Sequence, residues 1–173
     1  NNKIIKNKEK GLNSFIDGMI ALANRDYKNA IRLSQNISKY LDYNPSLSLL
    51  LKSEIYKIEK KHSDLQNIYE EMTKNSNTEI LGYRGLMEQY LQDHDFHHAY
   101  IYGEKLFNIN PYVEKIYETL VNIIAKTNHW QQLIVITDKA LSKKIINKST
   151  YHENKAIAFF EIAKIKQFSD IKD

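Results

Sequence analysis

The sequence predicts an all-α chain built as a solenoid of paired helices, and three observations carry that prediction. Turn residues are scarce, with only five Gly and two Pro in 173 residues, whereas β architectures need them at every reversal. Apolar residues recur at steps of three and four, the period of an amphipathic helix. A short pattern also repeats: a polar turn, an aromatic residue or Leu, two polar residues, then a small or aliphatic residue opening a helix.

That pattern stands at Asp26-Tyr27-Lys28-Asn29-Ala30, Asp64-Leu65-Gln66-Asn67-Ile68, Asp95-Phe96-His97-His98-Ala99 and His129-Trp130-Gln131-Gln132-Leu133. Its anchors at 30, 68, 99 and 133 are 38, 31 and 34 residues apart, and a mean near 34 is the period of a tetratricopeptide helix pair. Pro45 and Pro111 each follow the second helix of a pair, where Pro stops one helix and starts the next.

Taken in order, the spacing predicts helices over about 3–24, 29–42, 46–60, 63–74, 78–92, 96–108, 112–127, 130–144 and 148–168. Apolar steps such as Leu33-Ile37-Leu41 and Val113-Ile116-Tyr117-Leu120-Ile124 supply the buried faces. The expected architecture is a right-handed superhelical solenoid of about four tetratricopeptide-like pairs, at about 3–42, 46–74, 78–108 and 112–144. The last helix, with Ala156, Phe159, Phe160 and Ala163 on one face, is expected to cap the stack. No linker interrupts the series, so residues 1–173 read as a single domain.

Composition narrows the function classes. The chain has no Cys, which excludes disulfides, thiolate zinc sites and cysteine nucleophiles. Its net charge of +4 comes from interspersed acids and bases, not the concentrated basic stripe expected of a nucleic-acid binder. Apolar runs such as Leu49-Leu50-Leu51 are far too short for a membrane span. Enzyme motifs are missing: no glycine-rich phosphate loop, no H-E-x-x-H and no nucleophile elbow. Glu70 and Glu71 are adjacent, so they point to different parts of a helix surface and form no acid–base couple.

The stretch from Lys10-Gly11-Leu12 through Asp17-Gly18-Met19-Ile20-Ala21-Leu22-Ala23 resembles the soluble region of HemY-type proteins. Arg25-Asp26-Tyr27 into Ala30-Ile31-Arg32-Leu33, Leu81-Gly82-Tyr83-Arg84-Gly85-Leu86 and His129-Trp130 extend the likeness over roughly residues 10–168. Lys60-Lys61-His62 departs from it, standing where a Gly-Asp turn is usual. The resemblance implies a bacterial inner-membrane protein associated with late protohaem synthesis, with N-terminal spanning helices followed by tetratricopeptide repeats. The chain opens on Asn1-Asn2 without an initiating Met, so it reads as part of a longer protein whose remainder would carry the anchor. The family offers no catalytic residue to carry over.

Candidate sites follow from the repeat register. First helices line the inner surface of such a superhelix. The inward residues are expected to be Phe15, Met19, Leu22, Ser53, Lys57, Lys61, Arg84, Glu88, Lys115, Glu118 and Asn122. Lys57, Lys61, Arg84 and Asn122 would then clamp a carboxylate or an acidic peptide segment; the alternative is a solvated charged face. His94 and His98, four apart, would offer imidazoles to a metal or haem iron if they shared a helix face. Tyr83, Tyr90, Tyr100, Tyr102 and Tyr117 read as packing residues before they read as haem ligands. The expected function is a non-catalytic scaffold, needing no cofactor, that docks a protein partner such as a haem-pathway enzyme. The alternatives are a haem or porphyrin carrier and a generic tetratricopeptide adaptor.

Overall fold

The computed structural model describes residues 2–170, and these form an all-α chain without strands. The helices are α1 (Asn2–Ala23), α2 (Tyr27–Tyr40), α3 (Ser46–Ile58), α4 (His62–Met72), α5 (Glu79–Gln92), α6 (Phe96–Ile109), α7 (Ile116–Thr127), α8 (Trp130–Ser142) and α9 (Lys148–Asp170). Eight of them start and end within two residues of the predicted spans. The exception is α7, expected from residue 112. Its start is delayed because Asn110 Oδ1 accepts the Tyr112 N–H at 3.1 Å, and Lys115 then takes a left-handed conformation with φ 59° before the helix begins. None of the described helices is long and apolar enough to cross a membrane.

Two compact units make up the chain, Asn1–Leu86 and Met87–Asp173, with the division inside α5. In the first, α1 packs on α2 and α3, and α3 packs on α2 and α4. The buried face of α1 is made of small residues, Gly11, Ser14, Gly18 and Ala21, with Leu22 at its end. Opposite them lie Leu33, Ile37, Leu41, Leu51 and Ile55, all buried. Serine hydroxyls tie α2 to α3: Ser48 Oγ donates to the Ser34 carbonyl at 3.1 Å and shares a 2.7 Å hydrogen bond with Ser38 Oγ. In the second unit α7 packs on α6 and α8, and α9 packs on α8. Leu106, Phe107, Leu120, Ile123, Ile124, Leu133 and Ile136 form its interior.

One turn recurs at four places at a nearly constant spacing. Arg25, Lys60, His94 and Asn128 all have φ between 55° and 61°, and they stand 35, 34 and 34 residues apart. After each, the next residue's N–H reaches back five residues: Asp26 to Ala21 O (2.8 Å), Lys61 to Tyr56 O (3.0 Å), Asp95 to Tyr90 O (2.9 Å) and His129 to Ile124 O (3.3 Å). This is the Schellman closure, which satisfies orphan carbonyls at a helix end and reverses the chain. The residue making that bond is also the N-cap of the next helix. A further copy ends α8 at Lys144, off the period.

This geometry corrects the register of the second repeat. Its turn is Lys60-Lys61-His62, so the position equivalent to Ala30 is Leu65, not Ile68. The anchors become Ala30, Leu65, Ala99 and Leu133, all buried and evenly spaced. The Asp64-Leu65 pair imitates the turn sequence but lies inside the first turn of α4. The face of α9 is also corrected. Ala156, Phe159, Phe160 and Ala163 are all exposed, while Ala158 is buried and Tyr151, Lys155 and Ile162 are half-buried. The 151-155-158-162 stripe is the face turned inward where α9 packs on α8, so the two phenylalanines stay exposed.

The run Leu81 to Leu86 acquires a physical reason in the first unit. A Cβ on Gly82 would lie 2.7 Å from the Tyr69 carbonyl oxygen and 2.8 Å from the Thr73 nitrogen. One on Gly85 would press against the Tyr69 ring, 2.5 Å from its Cε atoms. Glycine at 82 therefore lets α5 approach the backbone of α4, which cannot swing aside as a side chain can. Gly82→Ala is expected to destabilise the fold by about 1–3 kcal/mol, whereas Leu81→Ala, at an exposed neighbouring position, leaves the thermal midpoint nearly unchanged. Equal midpoints for the two variants would show that the α4–α5 approach is looser than described.

Candidate functional site

The second unit holds a cleft of about 370 Å³ between α7, the α8–α9 turn and α9. The spacing Tyr117-Glu118-Val121-Asn122 puts one edge of α7 along it, and Asn147, Thr150 and Asn154, three and four residues apart, supply the facing polar row. Ile145 and Ile146 from the turn add apolar surface. The cleft thus offers carboxamides, two hydroxyl-bearing side chains and one carboxylate beside three aliphatic side chains.

Tyr117 anchors this arrangement. It is buried, its ring lies 6.4 Å from that of Phe107, and its hydroxyl shares a 3.0 Å hydrogen bond with Thr137 Oγ1 of α8. Asn154 Nδ2 donates to the same hydroxyl at 2.8 Å. The chain Thr137–Tyr117–Asn154 links α8, α7 and α9 and fixes the Asn154 amide at the cleft wall, where a satisfied buried network holds one geometry. Asn147 Oδ1 caps α9 by accepting the Thr150 N–H at 2.9 Å. Lys155 clamps the far side of α9, with Nζ 2.8 and 3.1 Å from the two Asp138 oxygens. That carboxylate holds the ammonium pKa above its usual value.

Of the residues expected along a groove, Glu118 and Asn122 come together in this cleft. Glu88 is exposed on α5, and Lys115 occupies the left-handed turn before α7, 4.0 Å from Glu114. In the first unit Leu22 and Ser53 are buried and present nothing to solvent; the Ser53 hydroxyl donates to the Leu50 carbonyl at 2.8 Å. Counting from the anchors had rotated both onto the open face. Phe15 is half-buried against the α1–α2 core, and Met19 is exposed in a stripe with Leu12, Ile16 and Ile20. Lys57 and Arg84 are exposed. Lys61 pairs with Glu59 at 3.0 Å and lies 5.6 Å from the Tyr56 ring centroid. The Glu59 hydrogen bond raises its pKa above the usual value.

The histidine segment is arranged differently from its expected form. His94 sits in the left-handed turn and α6 begins at Phe96, so His94 and His98 do not share a helix face. Asp95 caps α6, accepting the His98 N–H at 3.1 Å while its other oxygen binds His98 Nδ1 at 2.7 Å. The His98 ring stacks on Tyr90 at 5.0 Å, and Tyr90 stacks on Tyr102 at 5.6 Å. Among the described residues no three His, Asp or Glu side chains converge as a metal set. Tyr100 donates to Glu104 Oε1 at 3.2 Å, and burial followed by that carboxylate pushes its phenol pKa up.

Sequence reasoning missed Asn147, Thr150 and Asn154, which were assigned to a turn and a capping helix. Their signal was available: three polar residues on one face at the head of a helix that is apolar farther on.

The two His98 hydrogen bonds hold the Asp95 carboxyl below the usual value of 3.8. A carboxyl lowered on folding stabilises the native state fully above the unfolded value and loses that contribution as pH falls through the folded one. Asp95→Ala should therefore lower the thermal midpoint at pH 7, and the gap from the parent should close as pH drops below the carboxylate range. A gap that is constant down to pH 2 would contradict the ionised cap.

No protein-family model matches this chain, and no curated protein matches it.

Proposed function

We propose that this chain is a non-catalytic interaction scaffold that holds an extended peptide segment of a protein partner. Its four regularly spaced turns are read as those of tetratricopeptide-like pairs in a right-handed superhelix. The observation that carries the proposal is the amide-lined cleft of the second unit, with Asn122, Asn147 and Asn154 on facing walls. A carboxamide both donates and accepts, so it matches the N–H and C=O of a peptide backbone without demanding a particular side chain. Val121, Ile145 and Ile146 beside them would take an apolar side chain. An acidic-ligand clamp at Lys57, Lys61 and Arg84 has less support, since Lys61 already has Glu59 as its partner.

The likeness to HemY-type proteins suggests where such a scaffold would work: at a bacterial inner membrane, beside an enzyme of late protohaem synthesis. A haem-carrier role has less support, because His98 is held by Asp95 and the stacked Tyr90.

The test is a peptide-library screen with backbone amide chemical shifts as readout. Bound peptides are expected to move the signals of Asn122, Asn147 and Asn154. Asn122→Ala combined with Thr150→Ala, one exposed and one half-buried position, should weaken binding about tenfold with helical circular dichroism unchanged. Binding that is equally strong in the double variant, or shifts confined to other helices, would reject the cleft as the docking site.

A further inference from the structure

We infer that the cleft contains a subsite for a cationic side chain, a lysine ammonium or arginine guanidinium of the bound segment; this deepens the peptide-docking reading and rests on it. Three observations converge. Glu118 is the one ionisable carboxylate lining the cleft, it is exposed, and neither a lysine nor an arginine lines the cleft with it. One N–H of the Asn154 amide goes to the Tyr117 hydroxyl, and the network behind it holds Oδ1 in place as an acceptor. Ile145 and Val121 provide an aliphatic surface in the same cleft.

A lysine side chain needs these three things together: an anionic partner for the head, a neutral acceptor for a second N–H, and apolar contact for the methylene stem. An acidic side chain would meet a carboxylate with no cation to offset it. In a chain of net charge +4 the subsite is thus locally acidic, and its preference runs opposite to that expected of Lys57, Lys61 and Arg84.

The test uses one cleft-binding peptide made in three forms, with Lys, norleucine or Glu at the position that contacts α7. Norleucine keeps the stem and removes the charge. The Lys form should bind about two- to fivefold tighter than norleucine, the range for an exposed ionic contact, and the Glu form weakest. Raised salt should shrink that preference. Glu118→Gln should make the Lys and norleucine forms equal, and Glu118→Lys should favour the Glu form, both with unchanged circular dichroism. Equal affinities for all three forms, or a Lys preference surviving in Glu118→Gln, would overturn the cationic subsite and leave peptide docking standing. Failure of every form to perturb the cleft signals would overturn both.

Discussion

The left-handed turn closed by a backbone hydrogen bond five residues long is the constraint on which the other features depend. At Arg25, Lys60, His94 and Asn128 it ends one helix and caps the next within a single residue. With the exit and entry points so fixed, α2 packs on α1, α4 on α3 and α8 on α7, and the residue four after the cap turns inward. That position is Ala30, Leu65, Ala99 or Leu133, and each is buried. None of the four turns uses glycine, although a side chain in this conformation costs about 1–2 kcal/mol. Packing on both sides has to hold each turn in place.

Much of this was legible in the chain itself. Helix positions follow from apolar spacing, because each buried stripe, such as Ala30-Leu33-Ile37-Leu41, keeps the helical period. The second repeat was misplaced by three residues because Asp64-Leu65 copies the composition of Asp26-Tyr27, while Lys60 carries no mark of its backbone conformation. Rotation about a helix axis was less legible. Leu22, Ser53 and the Phe159-Phe160 pair were turned to the wrong side, since burial there depends on which neighbour offers a complementary surface. On α9 Ala158 is buried and the two phenylalanines are exposed.

The cleft shows the same dependence of site on packing. Tyr117 is buried for its ring, but its hydroxyl must find partners there, and it finds Thr137 and Asn154 on different helices. Satisfying that one phenol places the α9 amide opposite Glu118 and Asn122 of α7. Glu118 and Asn122 could be named from the repeat register alone. Asn147, Thr150 and Asn154 come from the turn and helix that follow the last of the four turns, where that register no longer applies.

Substitution at a left-handed position tests this account most directly, and Lys60 is the best choice because its turn has no side-chain cap to share the load. Glycine adopts that conformation without steric cost, and a β-branched residue resists it. Thermal melting of Lys60→Gly should match or exceed the parent midpoint, while Lys60→Val should fall several degrees below it. A Lys60→Val protein as stable as Lys60→Gly would contradict the claim that this backbone turn governs the repeat.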